Sequence, residues 1–148
     1  MSEPTLQIFN ESLVNIPLDQ SSAQSLLSLI EEHEEVTYDF VELVYVDEEE
    51  IVRFNKEHLD RDYITDIISF RYDEQPGSEK NIEGTLFCCA PRILEQAGEF
   101  EEPASKEFKR ILIHGLLHLI GYDDQTNDEK NTMTALEDKY LSLFEENK

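Results

Sequence analysis

Two histidines lie four residues apart in a segment that is otherwise almost entirely apolar. The segment reads HGLLHLIGYDD and covers residues 114–124, so the two histidines are His114 and His118. A buried imidazole needs a hydrogen-bond partner, and two neighbouring imidazoles need several. Residues four apart on a helix share one face, with Cβ atoms about 5–6 Å apart. Both side chains can therefore point at the same metal ion.

The residues that follow the second histidine can complete such a site. Gly121 is expected to end the helix, so that the chain turns back and brings the carboxylate of Asp124 to the imidazoles. The whole pattern is then H-x₃-H-x₂-G-x₂-D. Histidine and carboxylate are ordinary zinc ligands, and three protein ligands leave the open position that a catalytic zinc ion requires. The alternative is that both histidines are polar core residues bonded to acids such as Asp66.

The spacing also resembles the HExxHxxGxxH sequence of certain zinc proteases. In those enzymes a glutamate follows the first histidine and acts as the general base. Here that position is Gly115. The carboxylate that activates water is missing, which argues against a protease.

Apolar periodicity and turn signals predict four strands and five helices in the order β-α-β-α-β-β-α-α-α. The histidines lie on the fourth helix, which is apolar on nearly every side from Ile111 onward and is predicted to be central and buried. Early strands followed by clustered helices are typical of an α+β domain with one sheet. The predicted strands cover about residues 5–9, 38–46, 66–72 and 83–89, the helices about 21–33, 47–59, 91–98, 105–120 and 128–145, and a polar loop 73–81.

Length and composition favour one globular domain over residues 1–148, large enough to bury a core without disulfides. Cys88 and Cys89 are adjacent, and neighbouring cysteines rarely pair because the ring is strained, so we expect reduced residues on a strand. No apolar run reaches the ~18 residues of a membrane span, and the N-terminal segment has no signal-peptide features. We therefore expect a cytoplasmic protein that does not enter a membrane.

The net charge is unusual for a protein that would bind RNA. Thirty-four acidic residues oppose 12 basic ones, which gives −22. Such a field repels nucleic acid at long range. The acidic residues are spread along the chain, as on a solvated surface, so charge alone gives no reason to expect an RNA partner.

The motifs are similar to those of the YbeY family of bacterial rRNA maturation factors, and the similarity covers about residues 38–142 in the right order. HGLLHLIGYDD matches the family's HGxLHLxGYDH except at the last residue. EGTLFCCA (83–90) resembles the family's strand with Gly-Asp-Ile, and Met133 and Glu137 suit its Met-x-x-x-Glu tail. In FNKEHLDRDYITDIISF (54–70) the matching residues are Asn55, Asp62, Thr65, Asp66, Ser69 and Phe70.

The resemblance implies a mixed sheet with surrounding helices and a metal cleft beside the central buried helix. It implies a single-strand-specific endoribonuclease that matures the 3′ end of small-subunit ribosomal RNA and serves ribosome quality control. It also implies one zinc ion per chain, held by His114, His118 and Asp124, with ribosomal RNA and ribosome-associated proteins as partners. Thr65 and Ser69 match the motif beside the cleft and are candidates for substrate binding, or alternatively for strand-start hydrogen bonds.

Three positions depart from the family pattern. The usual third histidine is Asp124, which makes the site one charge more negative and the metal a poorer Lewis acid. The family's phosphate-binding arginine aligns with Leu59, and Arg61 is a candidate to replace it or, alternatively, occupies the position of the family's lysine. The aspartate of Gly-Asp-Ile aligns with Thr85. Asp123 competes for the ligand role, but the family pattern places the ligand second in the pair and so favours Asp124.

Two further functions compete with the endoribonuclease. One is a metal-stabilised factor that binds ribosome-associated proteins, which a charge of −22 favours because ribosomal proteins are mostly basic. The other is a general zinc hydrolase, which Gly115 disfavours. RNA cleavage itself can use a metal-activated water or the 2′-hydroxyl of the substrate, and the sequence leaves both routes open. His33 and His58 are not expected to bind metal.

Overall fold

The nine predicted elements are all present, in the predicted order. A computed structural model describes residues 5–60, 63–72 and 81–146. The strands are β1 Leu6–Asn10, β2 Thr37–Val46, β3 Ile67–Arg71 and β4 Asn81–Cys89, and the helices are α1 Gln20–Glu34, α2 Glu48–Leu59, α3 Ala90–Glu99, α4 Ala104–Ile120 and α5 Asn127–Glu146. Each observed boundary lies within two residues of the predicted one, and most of the predicted loop 73–81 falls outside the described residues.

The four strands form one mixed sheet in the order β1-β2-β4-β3. β1 pairs with β2 and β2 with β4 in parallel, whereas β3 runs antiparallel to β4 along the edge. Parallel neighbours need a crossover connection, which α1 provides between β1 and β2. The predicted α+β architecture with a mixed sheet is confirmed.

Helices cover the two faces of the sheet unequally. On one face, the buried side chains of α1, α4 and α5 form the main core with Leu86 and Cys88 of β4. On the other face, α2 covers a smaller cluster that includes Ile51 and Cys89. The alternation along β4 follows from the period of two in a strand, which sends successive side chains to opposite faces. Both cysteines lie on a strand and are free, as predicted, and both are buried.

Helix α4 lies very close to β3 and β4, because two glycines remove the side chains that would keep them apart. A Cβ on Gly115 would stand 2.6 Å from Cδ1 of Ile67 and 2.9 Å from Cδ1 of Leu86. A Cβ on Gly84 would stand 2.5 Å from the carbonyl oxygen of Phe70 and 2.8 Å from Cδ2 of Leu119. The helix is buried along most of its length, as its composition predicts.

Hydrogen bonds also hold α4 against the rest of the protein. The hydroxyl of Tyr38 in β2 donates to the carbonyl of Leu116 at 2.7 Å in a buried setting. Arg71 at the end of β3 donates to the carbonyl of Leu119 at 3.1 Å, where the last turn of a helix leaves carbonyls without helical partners. These contacts fix both the depth and the rotation of the helix that carries the two histidines.

No helix among residues 5–60, 63–72 and 81–146 is long and apolar enough to cross a membrane.

Gly84→Ala is expected to lower the free energy of unfolding by about 1–3 kcal/mol, because the new methyl group meets a backbone carbonyl that cannot move without disturbing the sheet. Gly98→Ala in α3 is the matched control, since nothing lies within 4 Å of the position that its methyl group would take. This control should be neutral or stabilising by up to about 1 kcal/mol. Urea denaturation of both variants measures the difference. Equal effects at the two positions would contradict close packing at Gly84.

Candidate metal centre

Three side chains meet at the C-terminal end of α4. Nε2 of His118 lies 2.9 Å from Nε2 of His114. The Asp124 carboxylate approaches both rings, with Oδ2 3.5 Å from Nε2 of His114 and Oδ1 3.8 Å from Nε2 of His118. All three side chains are partly buried, and among the described residues they form the one group of three or more such side chains that could hold a metal ion.

A tight turn brings Asp124 back to the helix. Gly121 ends α4 with a φ of +129°, a conformation that side chains disfavour. The backbone N–H groups of Gly121 and Tyr122 both donate to the carbonyl of Leu117, at 3.2 and 3.1 Å. Asp123 stabilises the turn, since its Oδ1 accepts the Asp124 N–H at 2.8 Å. The structure therefore places Asp124 with the histidines and Asp123 in the turn.

The far end of this turn is fixed by the start of α5. The Thr126 hydroxyl accepts the backbone N–H of Glu129 at 3.1 Å, and the Glu129 carboxylate accepts the N–H of Thr126 at 2.9 Å. This reciprocal pair is a capping box, which satisfies N–H groups that the first helical turn leaves without partners. The segment that carries Asp124 is thus held at both ends.

The carboxylate of Glu34 in α1 forms a hydrogen bond with the turn that carries Asp124. The hydroxyl of Tyr122 donates to Oε1 of Glu34 at 2.6 Å, and the hydroxyl of Tyr140 in α5 donates to Oε2 of the same carboxylate. The hydrogen bond to Glu34, with burial added, raises the pKa of Tyr122 to about 12. Tyr122 therefore keeps its proton at physiological pH and remains a donor to Glu34.

Glu137 of α5 lies behind the first histidine. Its Oε2 is 2.7 Å from Nδ1 of His114, and its Oε1 accepts from Arg110 at 3.1 Å. A carboxylate on Nδ1 selects the tautomer in which Nδ1 carries the proton, so that Nε2 is free to bind a metal. Arg110 is itself held in place by a second contact, to Asp138 at 2.9 Å.

Opposing effects act on the pKa of His114. Burial is the largest and lowers the pKa, while the hydrogen bond that His114 donates to Glu137 and the charges of Glu137, Asp66 and Asp124 raise it, and the balance leaves it above its ordinary value. The carboxylates thus offset the cost of placing an imidazole in a half-buried position. A divalent cation among the same carboxylates would gain from the same negative charge.

The donor set fits a zinc ion. A tetrahedral ion with bonds of about 2.0–2.1 Å keeps neighbouring ligand atoms roughly 3.3 Å apart. The two Nε2 atoms are 2.9 Å apart, and the carboxylate oxygen of Asp124 nearest to each lies at 3.5 Å from His114 and 3.8 Å from His118, so the distances bracket that spacing. Two imidazole nitrogens and one carboxylate oxygen are ligands that zinc accepts, and three of them leave one position open.

A cleft of about 580 Å³ opens beside the three side chains and runs back along α4. Its walls come from α3, α4, α5 and the segment before β3, and they include Asp66, Gln96, Glu107, His114 and Asp124. Glu107 lies two helical turns before His114 and is only 3% exposed. Gln96 donates to the Asp66 carboxylate at 3.2 Å. Asp66 therefore lies on the cleft wall, whereas the direct partner of His114 is Glu137.

The other candidates from the sequence lie apart from the three ligands. Thr65 precedes β3 and Ser69 lies within it, and neither lines the cleft, so their role in substrate binding stays a prediction. Arg61 lies outside the described residues. Thr85 is buried on β4, where its hydroxyl contacts Glu42 at 3.3 Å.

The remaining histidines and Leu59 also lie outside the group. His33 and His58 do not belong to the metal-competent cluster. His58 is exposed and packs its ring against Phe54 and Phe70. Leu59, at the position of the family's arginine, ends α2 and is 42% exposed.

Three carboxylates that shape the site carry no role in the sequence-based prediction. They are Glu34, Glu107 and Glu137. Glu137 and Glu107 lie on buried helix faces, at 7% and 3% exposure, where a charged side chain is rare unless it is paired. A glutamate at an apolar position of a helical repeat was the available signal.

Comparison with known proteins identifies relatives over nearly the whole chain. The family model described as Endoribonuclease YbeY matches residues 8–145. A protein named Endoribonuclease YbeY from Cytophaga hutchinsonii is 37% identical over 145 residues, which are 97% of this chain and 98% of that protein. Its namesake from Phocaeicola vulgatus is 37% identical over 68% of this chain and 70% of its own length.

A solved structure supports the same relationship. The solution structure of TM1509 from Thermotoga maritima superposes with a TM-score of 0.61 at 26% sequence identity. The match covers 94% of this chain and 88% of that protein. The overall fold described above is therefore similar to one that has been determined experimentally.

Glu107→Gln is expected to raise the free energy of unfolding at neutral pH. Burial raises the pKa of Glu107, and nearby Arg110 only partly opposes this, so the charged carboxylate is less favourable in the folded protein than in the unfolded chain. The gain should be full above the raised pKa and should vanish below about pH 4, where the carboxyl is neutral in both states. Urea denaturation across pH measures it.

The control for this prediction is Glu102→Gln in the same cleft. Glu102 is paired with Lys106 at 3.1 Å on the surface, so its replacement should change stability by no more than about 0.5 kcal/mol. A loss of stability in Glu107→Gln at neutral pH would show that the buried carboxylate is held by favourable contacts.

Proposed function

Because the chain belongs to the Endoribonuclease YbeY family, we propose that it is a metal-dependent endoribonuclease that cleaves single-stranded RNA during ribosomal RNA maturation. The finer parts of the proposal are a single zinc ion as cofactor, the 3′ end of small-subunit RNA as the substrate, and a cytoplasmic protein with one domain over residues 1–148. A role in ribosome quality control and contacts with ribosome-associated proteins complete it.

The observation that carries the proposal is the convergence of three metal-competent side chains at the mouth of a cleft. His114, His118 and Asp124 approach within bonding range of one ion, in the only such group among the described residues. A bound zinc ion would supply a Lewis acid for a phosphate oxygen. The cleft beside it is about 580 Å³, which is large enough to admit part of a nucleotide chain.

The chain's own residues divide the work of building this site. His114 and His118 present Nε2 atoms from one helical face, and Asp124 completes the set from the turn. Glu137 keeps the proton of His114 on Nδ1 and so orients the ring. Gly121 gives the chain the reversal that returns Asp124 to the helix.

The packing of α4 disfavours the general zinc hydrolase, which would need a protease-like catalytic glutamate. Gly115 occupies the position of the catalytic glutamate in that class, and even a methyl group there would stand 2.6 Å from Ile67. This side of α4 packs on the sheet, so a glutamate could neither fit nor reach the metal site. RNA cleavage does not require that carboxylate, since the substrate's own 2′-hydroxyl can act as nucleophile.

A binding factor for ribosome-associated proteins remains the second candidate, and the net charge of −22 favours it. Ribosomal proteins are mostly basic, so an acidic surface would attract them. The two functions separate in a His114→Ala variant. Cleavage of RNA requires the metal and should be lost, whereas binding of a basic protein through the acidic surface should persist in the folded variant.

Metal content tests the ligand set directly. Protein purified without a metal-binding tag should carry about one zinc per chain after incubation with zinc and gel filtration. His114→Ala, His118→Ala and Asp124→Ala should each lose it. Glu137→Gln should weaken zinc affinity by about 10–100-fold, because the ring of His114 loses its orienting partner. His58→Ala, which removes an exposed imidazole elsewhere, is the control and should retain the metal.

Asp124→His restores the usual family ligand and should bind zinc where Asp124→Ala does not. Failure of the wild-type protein to take up zinc from excess would overturn the metal proposal. Retention of zinc in Asp124→Ala with loss in both histidine variants would remove Asp124 from the ligand set.

The dependence of RNA affinity on salt should differ from that of ordinary nucleic-acid-binding proteins. A protein with 6–10 phosphate contacts loses about 10³–10⁵ in affinity between 50 and 200 mM salt. Here the −22 charge repels the RNA, and salt screens that repulsion. Affinity for a 2′-O-methyl oligonucleotide should therefore fall by less than about tenfold over that range, or rise. Fluorescence anisotropy measures it, and a steep loss would point to a basic RNA-binding surface.

A further inference from the structure

The cleft beside the metal centre is itself strongly acidic. Besides His114, six carboxylates and two basic side chains line it, and one of the two, Arg110, is already engaged by Glu137 and Asp138. A phosphate group would be repelled there unless it lay against the metal. An uncharged group with hydrogen-bond donors would be favoured. The six carboxylates belong to Asp66, Glu102, Glu107, Asp124, Glu137 and Asp138.

Glu107 is the carboxylate that most clearly requires an external partner. It is almost fully buried, yet it forms part of the cleft wall. Across residues 5–60, 63–72 and 81–146, no hydrogen bond or ion pair to another side chain satisfies its carboxylate. Buried carboxylates in folded proteins are almost always paired, so an unpaired one on the wall of a cleft is free to accept hydrogen bonds from a ligand that enters it.

Phe100 supplies a different contact in the same cleft. It follows the C-terminal end of α3, lines the cleft, and leaves 64% of its surface exposed. Aromatic rings of this kind stack on nucleobases, at about 1–3 kcal/mol per base, in proteins that bind single strands.

From these three observations we infer that the cleft is a nucleobase subsite in which Phe100 stacks on the base and Glu107 accepts hydrogen bonds from its Watson–Crick edge. The inference rests on the proposed RNA substrate. A carboxylate pairs best with guanine, whose N1–H and N2–H are parallel donors. Adenine and cytosine offer only amino hydrogens, and uracil offers one N–H between two repelling carbonyls. The subsite should therefore prefer guanine.

A second metal ion is a weaker explanation for the same carboxylates. Among the described residues, only His114, His118 and Asp124 bring three side-chain ligand atoms close enough together to hold one ion. The Asp66 carboxylate is in addition engaged by the Gln96 amide. Glu107 therefore has no set of further ligands in position to share an ion with it.

The test uses three labelled 2′-O-methyl pentanucleotides that differ at the central base, which is guanine, inosine or uracil. Inosine lacks only the N2 amino group. Wild-type protein should bind the guanine oligonucleotide about tenfold more tightly than the inosine one, as expected for a hydrogen bond to a charged group, and uracil should bind no better than inosine. Fluorescence anisotropy gives the three dissociation constants.

Two variants separate the contacts. Glu107→Gln keeps the shape of the side chain and should bring the guanine-to-inosine ratio close to one, while the protein remains folded and at least as stable. Phe100→Ala should weaken binding of all three oligonucleotides by about tenfold and leave the ratio unchanged. Glu102→Gln, which removes the same charge from the same cleft, should preserve the ratio.

Equal binding of guanine and inosine by the wild-type protein would overturn the subsite, as would an unchanged ratio in Glu107→Gln. An unmodified RNA containing all four bases is assayed for cleavage in parallel. Cleavage without base discrimination would reject the subsite and leave the proposed function intact. Discrimination without cleavage would reject the nuclease function and leave a guanine-binding cleft.

Discussion

The close contact between α4 and the sheet is the constraint on which the rest of the site depends. Gly115 and Gly84 have no side chains, so the helix lies very close to the sheet. A methyl group at Gly115 would clash with Ile67 and Leu86, and one at Gly84 would clash with a strand carbonyl. A helix packed this closely cannot rotate, so its opposite face has a fixed direction. His114 and His118 lie on that face, and their separation and orientation follow from the packing of their neighbours. The Gly115 position therefore has a structural role where zinc proteases use a catalytic one.

The imidazoles lie in an apolar setting and need hydrogen-bond partners. The surrounding helices supply these partners as a chain of contacts that runs outward from His114. Glu137 of α5 bonds to His114, Arg110 bonds to Glu137, and Asp138 bonds to Arg110. Each side chain in this chain of contacts is a hydrogen-bond partner of the one before it, and the last, Asp138, is exposed to solvent. The metal is thus one of two ways to stabilise the imidazoles, since the carboxylate chain already offsets the burial of His114. This arrangement allows the site to form before an ion arrives.

Contacts between residues close together in the sequence could be predicted, whereas contacts between distant residues could not. The histidine pair, the glycine stop and the two acids after it all lie within one helix and its turn, where spacing limits the geometry, and the family pattern then favoured Asp124 over Asp123. Strand and helix order followed from periodicity for the same reason. Glu137 meets His114 across 23 residues and Glu34 meets Tyr122 across 88. Such contacts depend on how helices pack, so the sequence could place Glu137 in a family motif and on an apolar helix face but could not show that it contacts His114.

The negative charge of the chain and its proposed substrate are compatible if attraction is confined to the site. With 34 acidic residues against 12 basic ones, the protein has no excess of cations for the phosphate backbone as a whole. Association then relies on contacts that carry no repulsion, namely an ion for one phosphate and stacking or hydrogen bonds for a base. Such contacts require unpaired, accessible bases, which duplexes do not offer. The acidic surface should therefore disfavour double-stranded RNA, and this electrostatic argument supports the proposed restriction to single strands.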